Sequence, residues 1–197
     1  GLVGSEMCIR DRGGITLLCK FDGQRVTMAS QIAGADETVN SLYSVKSEQA
    51  TMLSFDTYNY LVHYFGQPQG SMADDPNGTL GGDYEFVISD ATADRIELKG
   101  KKYGNRIVMK AFSADQTWKQ YLTRIKKVED DAFFYEYDLR MDGLYTGQML
   151  RSNYTFIVTY YDEVGKVHQK TVPFMFTTGG MRFHEPVTVS YTHLRAH

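Results

Sequence analysis

The sequence predicts a mainly β protein with two helices, in which antiparallel strands form a barrel or a sandwich. Apolar and polar residues alternate through three consecutive segments, 84–89, 95–100 and 106–110, as in strands with one buried face. Tight-turn signals such as Asp22-Gly23 separate neighbouring strand candidates, which favours antiparallel pairing. The chain also contains 14 Tyr and 11 Phe, residues that favour half-buried strands.

Composition limits the classes of function. A chain of 197 residues that is 42% hydrophobic and 23% charged is ordinary for one folded domain or two small ones. The net charge of -3 argues against a general nucleic-acid binder, because neutralising phosphates requires an excess of Lys and Arg. The sequence contains no apolar run of the roughly 20 residues that a membrane-spanning helix needs.

The two ends differ from the rest of the chain. Residues 1–12 and 189–197 resemble translated sequencing-adapter read-through and are predicted to be artefactual extensions, with a natural floppy terminus as the alternative. Without these ends Cys8 is lost and Cys19 is the one remaining cysteine, so an internal disulfide is excluded. The apolar neighbours of Cys19 indicate a small buried side chain and not a nucleophile.

A first β module is predicted over residues 13–112. Its strand candidates are bounded by turns or by changes of period and lie at residues 14–21, 25–29, 42–46, 52–55, 84–89, 95–100 and 106–110. Residues 30–40 and 66–81 are polar or rich in Gly, Pro, Asp and Asn, so they predict surface loops.

A short helix is predicted within this module at residues 56–65. The apolar residues that recur at helical spacing are Tyr58, Leu61, Val62 and Phe65. Asp56 is the predicted N-cap, because its carboxylate can accept bonds from the first free backbone N–H groups. Gly66 ends the pattern.

A second helix is predicted at residues 113–129 and connects the two β blocks. Ser113 and Gln116 have the spacing of a capping box, and Trp118, Leu122 and Ile125 form the apolar face. Lys and Arg residues follow toward its C-terminal end, where cations complement the helix dipole.

A second β module is predicted over residues 130–188. Its strand candidates alternate or are continuously β-rich and lie at residues 133–140, 154–161, 167–176, 181–183 and 187–188. The 154–161 segment is β-rich on both faces, which indicates a central strand. Pro173 lacks an N–H donor, so its strand is predicted to be an edge or to break there. Both modules contain an Asp-Gly turn and a paired Gly, so one hypothesis is that the two β modules are related by duplication.

The histidines do not form a recognisable catalytic or metal-binding set. His193 and His197 lie in the predicted extension, which leaves His63, His168 and His184. No two of these three have ligand spacing on one element, so structural or surface roles are favoured.

Charged clusters also favour ordinary structural interpretations. Asp74-Asp75 begins a segment of turn formers without the spaced oxygens of a calcium loop, and is interpreted as a turn. The basic cluster between Lys99 and Lys110 is interpreted as a solvated hairpin tip. The sequence therefore predicts no catalytic, cofactor-binding or metal-binding residues, and no cofactor.

The tyrosines have two interpretations. The set to be explained is Tyr43, Tyr58, Tyr60, Tyr64, Tyr84, Tyr103, Tyr135, Tyr137, Tyr145, Tyr154, Tyr160 and Tyr161. Tyr on a sheet face can stack on sugar rings or line the mouth of a barrel. Tyr is also an ordinary half-buried strand residue, and this structural interpretation is favoured.

Several segments together resemble a known family. They are residues 41–47 (SLYSVKS), 53–59 (LSFDTYN), 63–65 (HYF), 80–86 (LGGDYEF), 98–102 (LKGKK), 104–105 (GN), 173–174 (PF), 182–183 (RF) and 185–186 (EP). The chain resembles, over residues 13–188, an uncharacterised domain-of-unknown-function family of Bacteroidetes cell-envelope lipoproteins. The resemblance implies an upstream signal peptide and lipidated Cys, and an association with Sus-like outer-membrane uptake operons. It also implies a β-rich shape similar to lipocalin-like modules, so that the expected fold is an antiparallel, lipocalin-like barrel or sandwich. It transfers no catalytic residues.

The expected function is a non-catalytic envelope lipoprotein, a binding or accessory module of a nutrient (glycan) uptake system. Its expected partners are a glycan or small ligand and outer-membrane uptake proteins, with no nucleic acid and membrane contact only through the lost lipid anchor. The alternatives are a hydrolase or metal-dependent enzyme with a loop-assembled site containing His63, His168 and His184, and a structural spacer or docking protein.

Overall fold

The computed structural model describes residues 2–9, 13–47, 49–63, 83–132, 134–141, 144–152, 154–162 and 164–183. In chain order its elements are β1 (Leu2–Ile9), β2 (Gly13–Phe21), β3 (Arg25–Ser30), β4 (Val39–Ser47), β5 (Thr51–Phe55), α1 (Tyr60–His63), β6 (Glu85–Ala91), β7 (Arg95–Gly100), β8 (Arg106–Ala111), α2 (Trp118–Asp131), β9 (Glu136–Met141), β10 (Leu144–Ser152), β11 (Thr155–Tyr161), β12 (Val167–Thr177) and β13 (Gly180–Phe183). The prediction of a mainly β fold with two helices and antiparallel sheets is confirmed.

The first eight strands form a closed antiparallel barrel in which each strand pairs with its neighbours in sequence. β1 completes the wall by pairing with β2 on one side and β8 on the other. β1 lies within residues 1–12, and the artefactual origin proposed for that segment stays a prediction. The loops predicted at 66–81 and the strand predicted at 187–188 lie outside the described residues.

Apolar side chains fill the barrel. The inward positions of its strands include Leu17, Met28, Phe86, Leu98 and Ile107, all of them fully buried. An eight-stranded barrel has an interior just wide enough for side chains, so this packing is the ordinary way to stabilise it. Cys19 is also fully buried in this core, as predicted.

Helix α1 packs against the barrel core. Its Leu61 and Val62 are fully buried in the barrel core. The helix begins at Tyr60 instead of the predicted residue 56, because the backbone N–H of Asp56 still bonds Leu42 and continues the pairing of β5 with β4. Asn59 precedes the helix, and its side-chain oxygen accepts a bond from the Leu61 N–H at 3.1 Å.

Helix α2 begins at Trp118, five residues after the predicted start at Ser113. The capping box is formed by Thr117 and Gln120: the Thr117 hydroxyl accepts from the Gln120 N–H at 3.2 Å, and the Gln120 side chain accepts from the Thr117 N–H at 2.9 Å. Ser113 and Gln116 have the same spacing, but the apolar stripe that packs inward starts only after Thr117.

The five strands described after α2 form an open sheet in the order β13, β12, β11, β10, β9. β11 is the central strand, as predicted, whereas β10 was not predicted. β12 continues through Pro173, which lies opposite Thr155 of β11. Because β13 pairs with β12 only from Phe174 onward, Pro173 occupies a stretch of β12 that is locally an edge among the described residues.

Helix α2 joins the sheet to the barrel. Ile125 packs on the apolar face of the sheet, while Leu122 packs on Leu18 and Ala29 of the outer barrel wall. Lys126 Nζ donates to the carbonyl oxygen of Gln31 at 3.1 Å. The two β blocks therefore share one helix, although they differ in strand number and in closure.

Candidate functional site

A buried carboxylate organises the loop between β7 and β8, residues 101–105, here called the rim loop. Asp83 is only 2% exposed. Its Oδ1 accepts bonds from the backbone N–H groups of Lys102 at 2.8 Å and Tyr103 at 2.9 Å. Its Oδ2 accepts from the Asn105 backbone N–H at 3.2 Å and from the Asn105 side chain at 2.9 Å. Four N–H donors thus compensate the burial of one carboxylate.

Two glycines allow the rim loop to approach Asp83. A Cβ on Gly100 would collide with the Asp83 carboxylate, and Gly104 has a φ of +73°, which few other residues adopt. The backbone also bonds across the loop, from the Gly100 N–H to the Asn105 carbonyl at 2.7 Å and from the Lys101 N–H to the Glu85 carbonyl at 2.9 Å. The rim loop is therefore held at both ends and in the middle.

The rim loop displays cationic and aromatic side chains. Lys102 Nζ lies 4.8 Å from the centroid of the Tyr103 ring. The hydrogen bond with Tyr103 and then electrostatic attraction to the same phenol hold the pKa of Lys102 above its usual value, with smaller contributions from Tyr84 and Asp83. Tyr84 follows Asp83 directly and is 50% exposed. We call Tyr84, Lys101, Lys102 and Tyr103 the tyrosine–lysine rim.

The sequence-predicted basic tip is thus more ordered than expected. Lys99, Lys101, Lys102, Arg106 and Lys110 are exposed, which agrees with a solvated surface. The prediction missed Asp83, the residue that fixes the loop. The available signal was an Asp after two glycines and before a strand, together with the Gly104-Asn105 pair in the following hairpin.

The predicted histidines are distributed among different elements. His168 lies in β12, where its Nε2 is 2.7 Å from Asp162 Oδ2 and its ring stacks on Tyr160 with centroids 5.2 Å apart. His63 belongs to α1, and His184 lies outside the described residues. Within the described part of the chain, no three His, Cys, Asp or Glu residues are grouped as a metal site would require. The enzyme alternative built on the three histidines stays untested.

The tyrosines of the predicted set differ in exposure, which separates those that could contact a ligand from those that are half-buried strand residues. Those that are exposed are Tyr58, Tyr84, Tyr135 and Tyr161. Those that are partly buried are Tyr43, Tyr60, Tyr103, Tyr137, Tyr154 and Tyr160. Tyr64, the side chain of Tyr145 and the Asp74-Asp75 turn lie outside the described part. Of the exposed tyrosines, Tyr84 adjoins the loop fixed by Asp83.

A second surface feature is a depression of about 500 Å³ along α2. Its lining residues are Gln116, Lys119, Gln120, Thr123 and Arg124, which all belong to one helix and the turn before it. A site built from one helix face has no opposing wall among these residues, so the tyrosine–lysine rim is the stronger candidate.

Fold and site together define a class: a β protein in which a filled, closed barrel presents a rigid rim of tyrosine and lysine side chains. No helix among the described residues is long and apolar enough to cross a bilayer.

A family model described as a domain of unknown function, DUF4302, matches residues 8–196, and the chain belongs to this family. The matched range overlaps both predicted extensions, 1–12 and 189–197. No curated protein and no solved structure matches the chain. Membership of an uncharacterised family is therefore confirmed, while the resemblance to Bacteroidetes envelope lipoproteins of Sus-like operons stays a prediction.

Proposed function

We propose that this protein is a non-catalytic binding module of a cell-envelope nutrient-uptake system, and that the tyrosine–lysine rim contacts a glycan. Its place in the envelope, as a lipoprotein of the outer membrane beside Sus-like uptake proteins, is supported by the sequence resemblance alone. The glycan-binding role is supported by one structural observation, the buried Asp83 carboxylate that holds the rim loop in place.

The burial of Asp83 has a free-energy cost. Burying a carboxylate is unfavourable unless hydrogen bonds replace its water, and a simple hairpin turn can be built without one. Here one carboxylate fixes the backbone of Lys102 and Tyr103, so that both side chains project from a rigid support. Such preorganisation reduces the entropy lost on binding a ligand.

Tyr84 supplies a suitable surface for a sugar. A tyrosine offers an apolar ring face and a hydroxyl that can exchange hydrogen bonds, and both match the mixed apolar and polar surface of a sugar ring. Because side chains fill the barrel interior, the proposed ligand binds at the rim and not inside the barrel as in a lipocalin.

A glycan array with the full chain tests this proposal. Tyr84→Ala should weaken binding about twofold to twelvefold, the equivalent of the roughly 0.5–1.5 kcal/mol that an aromatic contact contributes beyond buried area. Tyr161→Ala is the matched control, because Tyr161 is 46% exposed, close to the 50% of Tyr84, and lies on the other sheet.

Three results would contradict the proposal. Absence of binding to any glycan would favour the spacer alternative. An equal loss of binding with Tyr161→Ala would place the contact away from the rim. Release of cleaved sugar that disappears in His168→Ala would favour the hydrolase alternative.

A further inference from the structure

We infer that the glycan bound at the tyrosine–lysine rim is an acidic saccharide, one whose sugar rings carry carboxylates. This inference rests on the proposed glycan-binding function and adds the chemical class of the ligand. It is carried by an excess of positive charge on the outer face of β7 and β8, which continues into the rim loop.

Cations face each other across these two strands. Lys99 lies opposite Arg106, and Arg95 lies opposite Lys110. Like charges directly opposite each other in an antiparallel pair are destabilising. Glu97 is the one carboxylate between them: it accepts from Arg106 at 2.7 Å and also pairs with Arg95. The neighbouring Arg106 hydrogen bond is the main reason that the pKa of Glu97 lies below its usual value.

The rim loop extends this row. Lys101 is 3.4 Å from Glu85 in an exposed, weak pair, and Lys102 is exposed beside Tyr103. Residues 95–110 contain six Lys or Arg and one Glu, a local charge of +5 in a chain with a net charge of -3. At the rim end, the four cations Lys99, Lys101, Lys102 and Arg106 stand against two carboxylates, Glu85 and the buried Asp83. Arg95 and Lys110 lie at the other end of β7 with Asp94, and Asp90 lies opposite Glu97. The cations therefore outnumber the carboxylates at the rim.

The geometry favours a carboxylate-bearing ring over a compact anion. Phosphate sites commonly use a nest of backbone N–H groups, but in the rim loop the N–H groups of Lys102, Tyr103 and Asn105 already donate to Asp83. The positive charge comes instead from separate side chains spread along a row, with the exposed Tyr84 ring close by. A row of cations beside an aromatic surface matches a polymer of acidic sugars.

The test compares three acidic polysaccharides, polygalacturonate, alginate and hyaluronan, with the same polymers after reduction of their carboxylates to alcohols. We expect the full chain to bind at least one acidic form about tenfold or more tightly than its reduced form. This preference should shrink between about 50 and 300 mM NaCl, because salt screens exposed charges.

Substitutions test whether the preference for the acidic form depends on the lysines of the rim loop. The double variant Lys101→Gln/Lys102→Gln should lose most of the preference for the acidic form without a change in the urea midpoint of unfolding. Tyr84→Ala should weaken binding of both forms. Lys127→Gln is the control, because Lys127 is an exposed cation on α2, far along the chain from the rim.

Each other outcome overturns the inference in a distinguishable way. Equal binding of acidic and reduced polymers would contradict the inference that the ligand is acidic, but it would still agree with the proposed glycan-binding function. An equal loss with Lys127→Gln would mean nonspecific attraction. Binding to phosphatidylglycerol vesicles without binding to any acidic polymer would assign the charge to a lipid surface. Absence of binding to all polymers would remove both the inference and the proposed function.

Discussion

Most apolar side chains of the barrel pack inside its own wall, whereas the five-stranded sheet has one apolar face that other elements must cover. On the outside of the barrel, Leu18 and Ala29 are covered by Leu122 of α2. In the barrel, Leu61 and Val62 of α1 are part of the core. Within the same core, the Phe86 ring packs edge-on against the Phe55 ring. In the sheet, Phe174 packs against Phe156, and Ile125 of α2 covers them. From this difference we expect the barrel to depend less on the sheet than the sheet depends on α2 and the barrel.

In each region an aspartate accepts hydrogen bonds from the backbone of a turn, but the two aspartates differ in burial. Asp83 of the barrel is buried and fixes the rim loop through four N–H donors. Asp162 of the sheet lies at the turn between β11 and β12, where it accepts from Val164 and Lys166 and pairs with His168. Of these two aspartates, only Asp83 is buried and belongs to the closed barrel.

The largest change in the free energy of unfolding should come from removing one large side chain from each of the two cores. Phe86→Ala and Phe174→Ala should each cost about 3–5 kcal/mol in free energy of unfolding, because both side chains are fully buried. Phe86→Ala should destabilise both regions, whereas Phe174→Ala should leave a separate barrel transition. Urea unfolding followed by far-ultraviolet circular dichroism and by the fluorescence of the single tryptophan, Trp118, separates these cases. A single coincident transition in Phe174→Ala would show that the two regions are not independent.

The next effect concerns the joint between the regions. Leu122→Ala should cost about 2–4 kcal/mol, because the fully buried Leu122 side chain packs on Leu18 and Ala29 of the barrel wall. Hydrogen exchange should increase in β11 and β12 more than in β2 and β3. Thr123→Ala, one residue later on the exposed side of α2, is the control and should change little. Equal increases in both regions would contradict the dependence of the sheet on the joint.

A smaller effect is expected at the rim. Gly100→Ala should cost about 1–3 kcal/mol, because the added methyl group would collide with the Asp83 carboxylate. Gly179→Ala is the matched control, since a Cβ there has no heavy atom within 4 Å. Thermal unfolding measures both variants. A neutral result for Gly100→Ala would mean that Asp83 is not confined as described.

The smallest effect is a pH dependence at the sheet turn. The His168 hydrogen bond, helped by the backbone N–H groups of Lys166 and Val164, lowers the pKa of Asp162 from its ordinary value of 3.8. A carboxyl whose pKa is lower in the folded state stabilises that state above its unfolded pKa and loses this contribution as pH falls through the folded value. Asp162→Asn should therefore lower the urea midpoint at pH 5, and the difference should shrink at pH 3.

The control for this experiment is Asp130→Asn, at an exposed position on α2. Its midpoint difference from the wild type should be small and should not follow the same trend. A difference for Asp162→Asn that grows toward acid would contradict the assigned direction of the pKa shift.

Local patterns predicted most of the strands and the two helices, but they did not distinguish between equivalent signals. Two Ser/Thr-x-x-Gln capping boxes follow each other at the start of α2, residues 113–116 and 117–120, and the packing of the apolar stripe selected Thr117 over Ser113. Asp56 is a good N-cap by residue type, yet β4 uses its backbone and α1 begins later. β10 was missed because residues 144–152 lack a clean alternation, and its pairing shifts register between Tyr145 and Gly147.

The sequence by itself determined that this protein is a β protein with antiparallel strands, a buried Cys19 and a basic hairpin between Lys99 and Lys110, because alternation and turn formers act over a few residues. Only the tertiary structure decided that, among the described residues, eight strands close into a filled barrel and five form an open sheet. It also decided the site, because Asp83 reaches the rim loop through contacts about twenty residues away in sequence. Such contacts depend on the pairing of β6 with β7, which brings together residues that are distant in sequence.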